Sequence, residues 1–188
     1  MKKLIALVMA LAMLLSFAAA ETATVDFTSM LSEADLALGT FVKVSEDLPA
    51  AVWIMNDLFT VVPPEEYPEE LTTGHECLVL ACADSPEDRV VMSVLSNDTG
   101  TFDDLVKALN DDPATFSEVE EAVINGIRSV GYKVTEEDGT VLMYATYEVT
   151  DYAYLNIVFR QSDNMPYLQA AGLMVASVSL VEEDDSNG

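Results

Sequence analysis

The residues best suited to chemistry lie in the stretch GHECLVLACAD, residues 74 to 84. It contains the only histidine, His75, and the only two cysteines, Cys77 and Cys82. Structural zinc needs four ligands, usually cysteine and histidine at close, regular spacing. This stretch offers three ligands at most, and their spacing does not fit that pattern. We therefore predict no metal here and expect His75 at the protein surface.

The two cysteines could alternatively form a disulfide or a redox pair. They are five residues apart, so in one continuous strand they face opposite sides of a sheet and their Cα atoms are about 16 Å apart. A disulfide tolerates a Cα separation of about 7 Å at most. We therefore predict no disulfide, and two reduced, buried cysteines that act as small apolar side chains.

The segment NDTGTFDD, residues 97 to 104, is a weak calcium candidate. Its oxygen ligands would come from Asn97, Asp98, Asp103 and Asp104. The glycine is at the fourth position rather than the sixth, and the closing bidentate glutamate of an EF-hand is missing. A turn followed by a helix with Thr101 as its N-cap explains the same residues more simply. We expect the cap, and calcium binding remains an alternative.

No catalytic set can be identified. The sequence has neither a G-x-S-x-G nor an S-x-x-K motif, and His75 is the only possible imidazole base. The 33 acidic residues do not indicate a glycosidase, because some pair of carboxylates reaches glycosidase spacing in any chain this rich in them. We expect a non-enzymatic protein without a cofactor, with an extracellular carboxylate-based hydrolase as the alternative.

The aromatic residues suggest two binding surfaces. One would be a platform on neighbouring strands, and the other would be the proline-rich loop VVPPEEYPEEL with the single tryptophan beside it. Aromatic side chains on strands are more often covered by a helix, whereas exposed loops often carry function. The candidate binding residues are Trp53, Tyr67, Tyr132, Tyr147, Tyr152 and Tyr154.

The first 20 residues have the layout of a secretory signal peptide. Lys2 and Lys3 precede an apolar run, and Ala18-Ala19-Ala20 ends the segment with small residues. The run is shorter than the roughly 18 residues expected of a membrane-spanning helix. We expect cleavage after Ala20, secretion by the Sec route and no stable membrane insertion of the mature protein.

The expected mature protein is strongly acidic. Residues 21–188 contain six basic residues and all 33 acidic ones, which gives a net charge of −27. Binding to nucleic acid depends on neutralising phosphates with lysine and arginine, so this function class is excluded. The length fits one domain. We divide it into a lead-in over 21–39, a domain over 40–181 and a disordered acidic tail over 182–188.

The apolar pattern predicts strands at 40–44 and 50–55, then a hairpin of 76–83 with 89–95. A helix follows at 101–110, and further strands bend at Asn125-Gly126 and turn at Asp138-Gly139. The next hairpin should have EVTD, residues 148 to 151, as its loop.

That loop would place Tyr147 opposite Tyr152 and Ala145 opposite Tyr154. Neither face of the hairpin is then polar, and the segment from Asp163 to Val178 reads as a closing helix. This pattern favours an α+β fold with a single antiparallel sheet and helices packed on both faces.

The order of these elements resembles the PsbP-like α/β/α sandwich, shared by a photosystem II extrinsic subunit and a Ran-binding nuclear import factor. It is most similar to small secreted proteins of Gram-positive anaerobic bacteria. The matching segments are GTFVKV, VWIMNDL, INGIRSVGY and MVASVSL. The resemblance implies a fold over about residues 39 to 180 and no active site. We therefore expect a secreted, non-catalytic domain that binds a protein or cell-wall partner through edge loops. A calcium-dependent or small-ligand-binding module is a further alternative.

Overall fold

The structure is a computed structural model that describes residues 23–67, 75–96 and 100–181. The predicted signal peptide, the calcium candidates Asn97 and Asp98, and the predicted acidic tail over 182–188 lie outside the described residues.

Eleven strands form in the described part of the chain. In chain order they are β1 (Ala23–Val25), β2 (Gly39–Ser45), β3 (Leu48–Met55), β4 (Phe59–Val61), β5 (Glu76–Cys82), β6 (Ser85–Ser96), β7 (Phe116–Ile124), β8 (Ile127–Thr135), β9 (Val141–Thr150), β10 (Ala153–Arg160) and β11 (Ser179–Leu180).

Four α-helices accompany them: α1 (Phe27–Met30), α2 (Glu33–Leu36), α3 (Phe102–Asp111) and α4 (Met165–Ser177). A single 3-10 turn spans Pro64–Glu66. Helix α3 begins where the sequence predicts it. The Thr101 side chain accepts a hydrogen bond from the Asp104 backbone N–H, and the Asp104 carboxylate accepts one from the Thr101 N–H in return.

The strands form two sheets, which corrects the prediction of a single sheet. The large sheet has the order β1-β7-β8-β9-β10-β6-β5-β4, and the small one has the order β11-β3-β2. The large sheet is mixed, because β1 runs parallel to β7 while the other strand pairs are antiparallel. The predicted strands at 40–44 and 50–55 do pair with each other, but they leave the large sheet to make their own layer.

Helix α4 packs between the two sheets. The Tyr147 hydroxyl of the large sheet donates to the Val175 carbonyl at 2.6 Å. The backbone N–H of Trp53 in the small sheet donates to Ser177 Oγ at 2.8 Å. A helix that is covered on several sides must be apolar on several sides, and α4 accordingly buries residues all round, including Tyr167, Ala170 and Met174. We call the face of the large sheet toward α4 the inner face and the opposite face the outer face.

Asn125 joins three elements at one point. It adopts a left-handed backbone conformation, with φ of 50°, in the turn between β7 and β8. Its Oδ1 accepts a hydrogen bond from the Phe27 N–H at 2.8 Å. Its Nδ2 donates to the carbonyls of Ala176 at 3.0 Å and Val178 at 2.8 Å. The turn between β7 and β8 is thereby fixed to both the start and the end of the described chain.

The hairpin of β9 with β10 differs in register from the prediction. Tyr147 lies opposite Leu155 instead of Tyr152, and Ala145 lies opposite Ile157. The turn is tighter than expected because Thr150 Oγ1 accepts hydrogen bonds from the N–H groups of Tyr152 and Ala153. A shift by an odd number of residues moves side chains to the other face. Tyr147 therefore points into the inner core, away from Tyr154.

Candidate ligand-binding groove

The stretch from His75 to Cys82 is structural. His75 is exposed, and both cysteines are free thiols. Cys82 is buried in the main core, as predicted, but Cys77 is only half-buried and packs against that same core. The side chains of β5 do not alternate strictly between the two faces of the sheet at Cys77, because the register of β5 with β6 shifts between Glu76 and Leu78. Burial raises the pKa of the Cys77 thiol to about 11, so the reactive thiolate is scarce at neutral pH.

The described calcium candidates are engaged in other interactions. Asp104 caps α3 through Thr101, and Asp103 forms an ion pair with Arg128 at 2.5 Å. Arg128 also approaches Glu148 at 3.4 Å and lies 5.1 Å from the Phe102 ring centre. Over residues 23–67, 75–96 and 100–181, no group of three or more potential ligands is placed to hold a metal ion.

The predicted aromatic residues do not form one surface. Trp53 is buried at 2% exposure, and its indole N–H donates to the Leu36 carbonyl. Tyr67 is half-buried against a small cluster on the outer face, whereas Tyr152 is 81% exposed at the hairpin turn. Tyr132 is half-buried and packs edge-on against Phe116. Its ring stacks on Tyr144, with ring centres 4.8 Å apart.

Tyr147 and Tyr154 are both buried, on opposite faces, and they differ in hydrogen bonding. Tyr147 donates to Val175 as described above. The Tyr154 ring packs edge-on against Phe102 beneath α3, and its hydroxyl makes no hydrogen bond with any residue in the described part of the chain. Since an unsatisfied buried hydroxyl costs free energy, Tyr154 carries a polar atom that the fold itself does not use.

We predict opposite responses to the same change at these two tyrosines. Tyr147→Phe should lower the free energy of unfolding by about 1 kcal/mol, because it leaves the Val175 carbonyl without a donor. Tyr154→Phe should leave it unchanged or raise it by up to about 1 kcal/mol, because it removes an unpaired hydroxyl. Urea denaturation of both variants measures the difference, and equal losses would show that the Tyr154 hydroxyl has a partner after all.

The outer face carries an open groove. Its volume is about 710 Å³, within the usual range of small-molecule sites. Its floor crosses three neighbouring strands, β6, β10 and β9, with Val91, Val158 and Leu142. We call this the outer groove. Helix α3 covers the far end of the same face, and the segment that contains Val62 and Tyr67 covers its β5 side.

The tyrosine stack continues directly into the groove floor. Tyr132 pairs with Tyr144, Tyr144 pairs with Val158, and Val158 pairs with Val91. Directly paired residues point to the same side of a sheet. One row of side chains therefore runs across four strands. Val158 and Val91 at its aliphatic end lie in the outer groove, whereas Tyr132 and Tyr144 at its aromatic end lie beyond the residues that line the groove.

Two arginines line the groove at the end of this floor. Phe159 pairs with Val90, so Arg160 and Arg89 each lie one residue beyond that pair on neighbouring strands. The Nε of Arg89 donates to the Pro86 carbonyl at 2.9 Å, and the Nε of Arg160 donates to Asp88 at 2.8 Å. The terminal nitrogens of both guanidinium groups bond to no other described residue. Guanidinium groups match carboxylates in geometry. Arg160 already pairs with Asp88 through Nε, so the groups left to donate to an anion are the Arg89 terminal nitrogens and those of Arg160.

A buried carboxylate holds Arg160 in place. Asp88 is 1% exposed and also accepts a hydrogen bond from Asn164, the N-cap of α4, at 3.1 Å. Burial alone would raise the pKa of the Asp88 carboxyl, but hydrogen bonds from Arg160, Ser85, Ser162 and Asn164 together hold that pKa below its usual value. Asp88 therefore stays ionised and orients the arginine.

The opposite wall of the groove is acidic. The turn between β8 and β9 contributes Glu136, Glu137 and Asp138. Strand β10 separates this turn from β6, which carries Arg89. The outer groove thus presents three carboxylates on the wall of the β8–β9 turn, the guanidinium groups of Arg89 and Arg160 beside the Glu87 carboxylate on the other wall, and an apolar floor between them. Such an arrangement is complementary to a molecule that carries both charges.

Sequence reasoning identified Tyr132 but missed Arg89, Arg160 and Tyr144 as a site. The signal that could have found the arginines is their scarcity. They are two of only six basic residues in the expected mature chain, and both flank the buried hairpin strands that the sequence does predict.

Comparisons with known proteins identify the fold. No family model and no curated protein matches the sequence. A crystal structure from Bacteroides thetaiotaomicron VPI-5482 is similar with a TM-score of 0.51 and 12% identity, over 78% of this chain and 50% of that one. This chain therefore spans half the length of that protein. The solution structure of CyanoP, the cyanobacterial PsbP from Synechocystis sp. PCC 6803, is similar with a TM-score of 0.51 and 11% identity, over 80% of this chain and 96% of that one.

LpqN of Mycobacterium tuberculosis, which is involved in cell envelope biogenesis, is more distant, with a TM-score of 0.41 and 13% identity. It matches over 81% of this chain and 98% of its own. Among the described residues, no helix is both long and apolar enough to cross a membrane. The likeness to CyanoP supports the resemblance stated from the sequence: the chain has an α+β, PsbP-like fold.

Proposed function

We propose that the protein is a secreted, non-catalytic binding domain whose outer groove holds a short zwitterionic peptide. The observation that carries this proposal is the pair Arg89 and Arg160, which line one wall with terminal nitrogens unpaired among the described residues. They would bind the peptide carboxylate. The acidic turn on the opposite wall would bind the ammonium group, and the apolar floor would contact the aliphatic atoms between the two charges.

The net charge of the chain favours a zwitterionic ligand over an anionic one. The mature protein carries a net charge of −27, so a simple anion is repelled over the range of electrostatic screening, about 8 Å at physiological salt. A peptide with one ammonium and one carboxylate has no net charge and meets no such barrier. Free peptides of this kind are released from cell-wall material and from proteins, the two partner classes expected from the sequence.

Export is part of the proposal. It is supported by the signal-peptide layout of residues 1–20. Carboxylate-based hydrolysis and calcium binding stay alternatives, and no contact among the described residues favours either of them.

The test uses trialanine in three forms: free, N-acetylated and C-terminally amidated. We expect the free peptide to shift the NMR signals of the Arg89 and Arg160 side-chain N–H groups, and either blocked form to bind at least tenfold more weakly, about 1.4 kcal/mol. Arg89→Gln should weaken binding of the free peptide to a similar extent. Lys43→Gln, which removes one exposed positive charge on the small sheet, is the matched control and should bind like the wild type. If amidation does not change the affinity, the arginines do not bind the carboxylate and the proposal fails.

A further inference from the structure

The large sheet has an open edge beside a second, smaller cavity. Strand β1 pairs with β7 only at residues 122–124. Along residues 116–121 of β7, no strand in the described part of the chain pairs on the side away from β8. An unpaired strand edge offers backbone N–H and C=O groups to an extended peptide. We call residues 116–121 the β7 edge.

Small side chains leave the space for the cavity next to this edge. It has a volume of about 120 Å³ between the inner face and α4. Ala122, Gly131, Ala145 and Gly172 line it, and Val175 and Met143 complete its apolar wall. We call it the inner pocket. Its volume is large enough for one unbranched side chain, and Glu118, Glu120 and Lys133 are among the polar residues that line it.

A carboxylate sits at the mouth of the inner pocket. Glu120 lies opposite Gly131, whose missing side chain leaves the space above it open. Burial, together with the nearby Glu118 carboxylate, raises the pKa of Glu120, although the Lys133 ammonium, which also lines the pocket, partly offsets the rise. Neighbouring carboxylates have cations: Glu118 pairs with Lys133 at 2.5 Å, and Glu121 lies 3.7 Å from Arg128. Among the described residues, Glu120 makes no ion pair.

The β7 edge is also irregular where it meets the pocket. Glu118 has a φ of 51°, and the register with β8 shifts between Ser117 and Glu120. A bulge of this kind re-aims the side chains that follow it. Here it brings Glu120 onto the same side as Gly131 and Ala122, so that its carboxylate faces the inner pocket.

We propose that the β7 edge receives an extended partner peptide that inserts the aliphatic stem of one lysine into the inner pocket, with the lysine ammonium group against Glu120. The stem is apolar and unbranched. Glu118 and Glu120 have only the Lys133 ammonium beside them, and it pairs with Glu118, so a second ammonium would balance the remaining carboxylate. The high negative charge of the chain attracts such a cationic segment. The site is on the inner side of the sheet, and its ligand needs no free carboxylate. It is therefore independent of the proposed outer-groove function.

The test uses the blocked peptide Ac-Thr-Val-Lys-Val-Thr-NH2 with the whole mature protein, because blocked termini prevent binding to the outer groove. We expect it to shift the backbone amide signals of residues 117–121, with at least tenfold weaker binding when norleucine replaces lysine. Glu120→Gln should weaken lysine-peptide binding to the same extent. Glu33→Gln, which removes an exposed carboxylate from α2, is the matched control and should leave binding unchanged.

Two further results bear on the same proposal. Ala122→Leu should fill the inner pocket and abolish peptide binding, while a thermal melt checks that the variant is folded. If norleucine binds as well as lysine, the ammonium does not meet Glu120 and the proposal is wrong. It is equally wrong if the lysine peptide shifts no signal at the β7 edge, whatever trialanine does at the outer groove.

Discussion

Replacing Asn125 with alanine is expected to lower the free energy of unfolding by about 4 kcal/mol. Three hydrogen bonds are lost, to Phe27, Ala176 and Val178, at about 1 kcal/mol each. Alanine must also take up the left-handed backbone conformation, with φ of 50°, at a cost of about 1 kcal/mol. Urea denaturation of the purified mature domain measures the total.

Asn125→Gly separates the two contributions. Glycine adopts a positive φ readily, so this variant loses the hydrogen bonds without the backbone cost and should lose about 3 kcal/mol. A loss below about 1 kcal/mol in both variants would contradict the role of Asn125 as the junction between the β7–β8 turn and the two ends of the described chain.

Replacing Arg160 with methionine is expected to lower the free energy of unfolding by about 3 to 5 kcal/mol. The change leaves the buried Asp88 carboxylate without its cation, and an uncompensated buried charge is more costly than the loss of an exposed ion pair. The double variant Asp88→Asn with Arg160→Met removes both charges, and it should recover much of the loss. If the single variant is as stable as the wild type, Asp88 does not depend on Arg160.

The same variant has a defined pH dependence. In the wild type the pKa of Asp88 lies below its usual value, so this group stabilises the fold above a pH of about 4, and the contribution is lost as the pH falls through the folded-state pKa. Without Arg160, the lowering of the pKa by that arginine is lost, so Asp88 contributes less stability above a pH of about 4. The difference between variant and wild type should therefore be largest at neutral pH and shrink below a pH of about 4. Denaturation at pH 7 and pH 3 checks the sign.

Local signals in the sequence predict most elements of the fold. Thr101 with Asp104 marks the start of α3, and Asp138-Gly139 marks the turn before β9. These features depend on a few adjacent residues, so a single sequence contains them. No local signal predicts the division of the strands into two sheets, because β2 and β3 have the same local pattern as strands of the large sheet. What separates them is α4, more than 100 residues further along the chain.

The binding surfaces were harder to predict for the same reason. The register of β9 with β10 depends on how Thr150 closes its turn, and an error there placed Tyr147 and Tyr154 on one face. The groove depends on cross-strand rows, such as Tyr132–Tyr144–Val158, that join residues distant in sequence. Arg89 and Arg160 become neighbours only through the register of β10 with β6.

The position of α4 between the sheets has a consequence for folding during the export that we propose. The helix and β11 complete both the small sheet and the inner core, yet they are among the last described residues to be synthesised. Until they arrive, β3 lacks its β11 partner and the inner face of the large sheet lacks its cover, so contacts of long sequence separation must close late. A chain built in this way stays without a finished core until its C-terminal segment emerges, which is the state in which a polypeptide can still be threaded across a membrane.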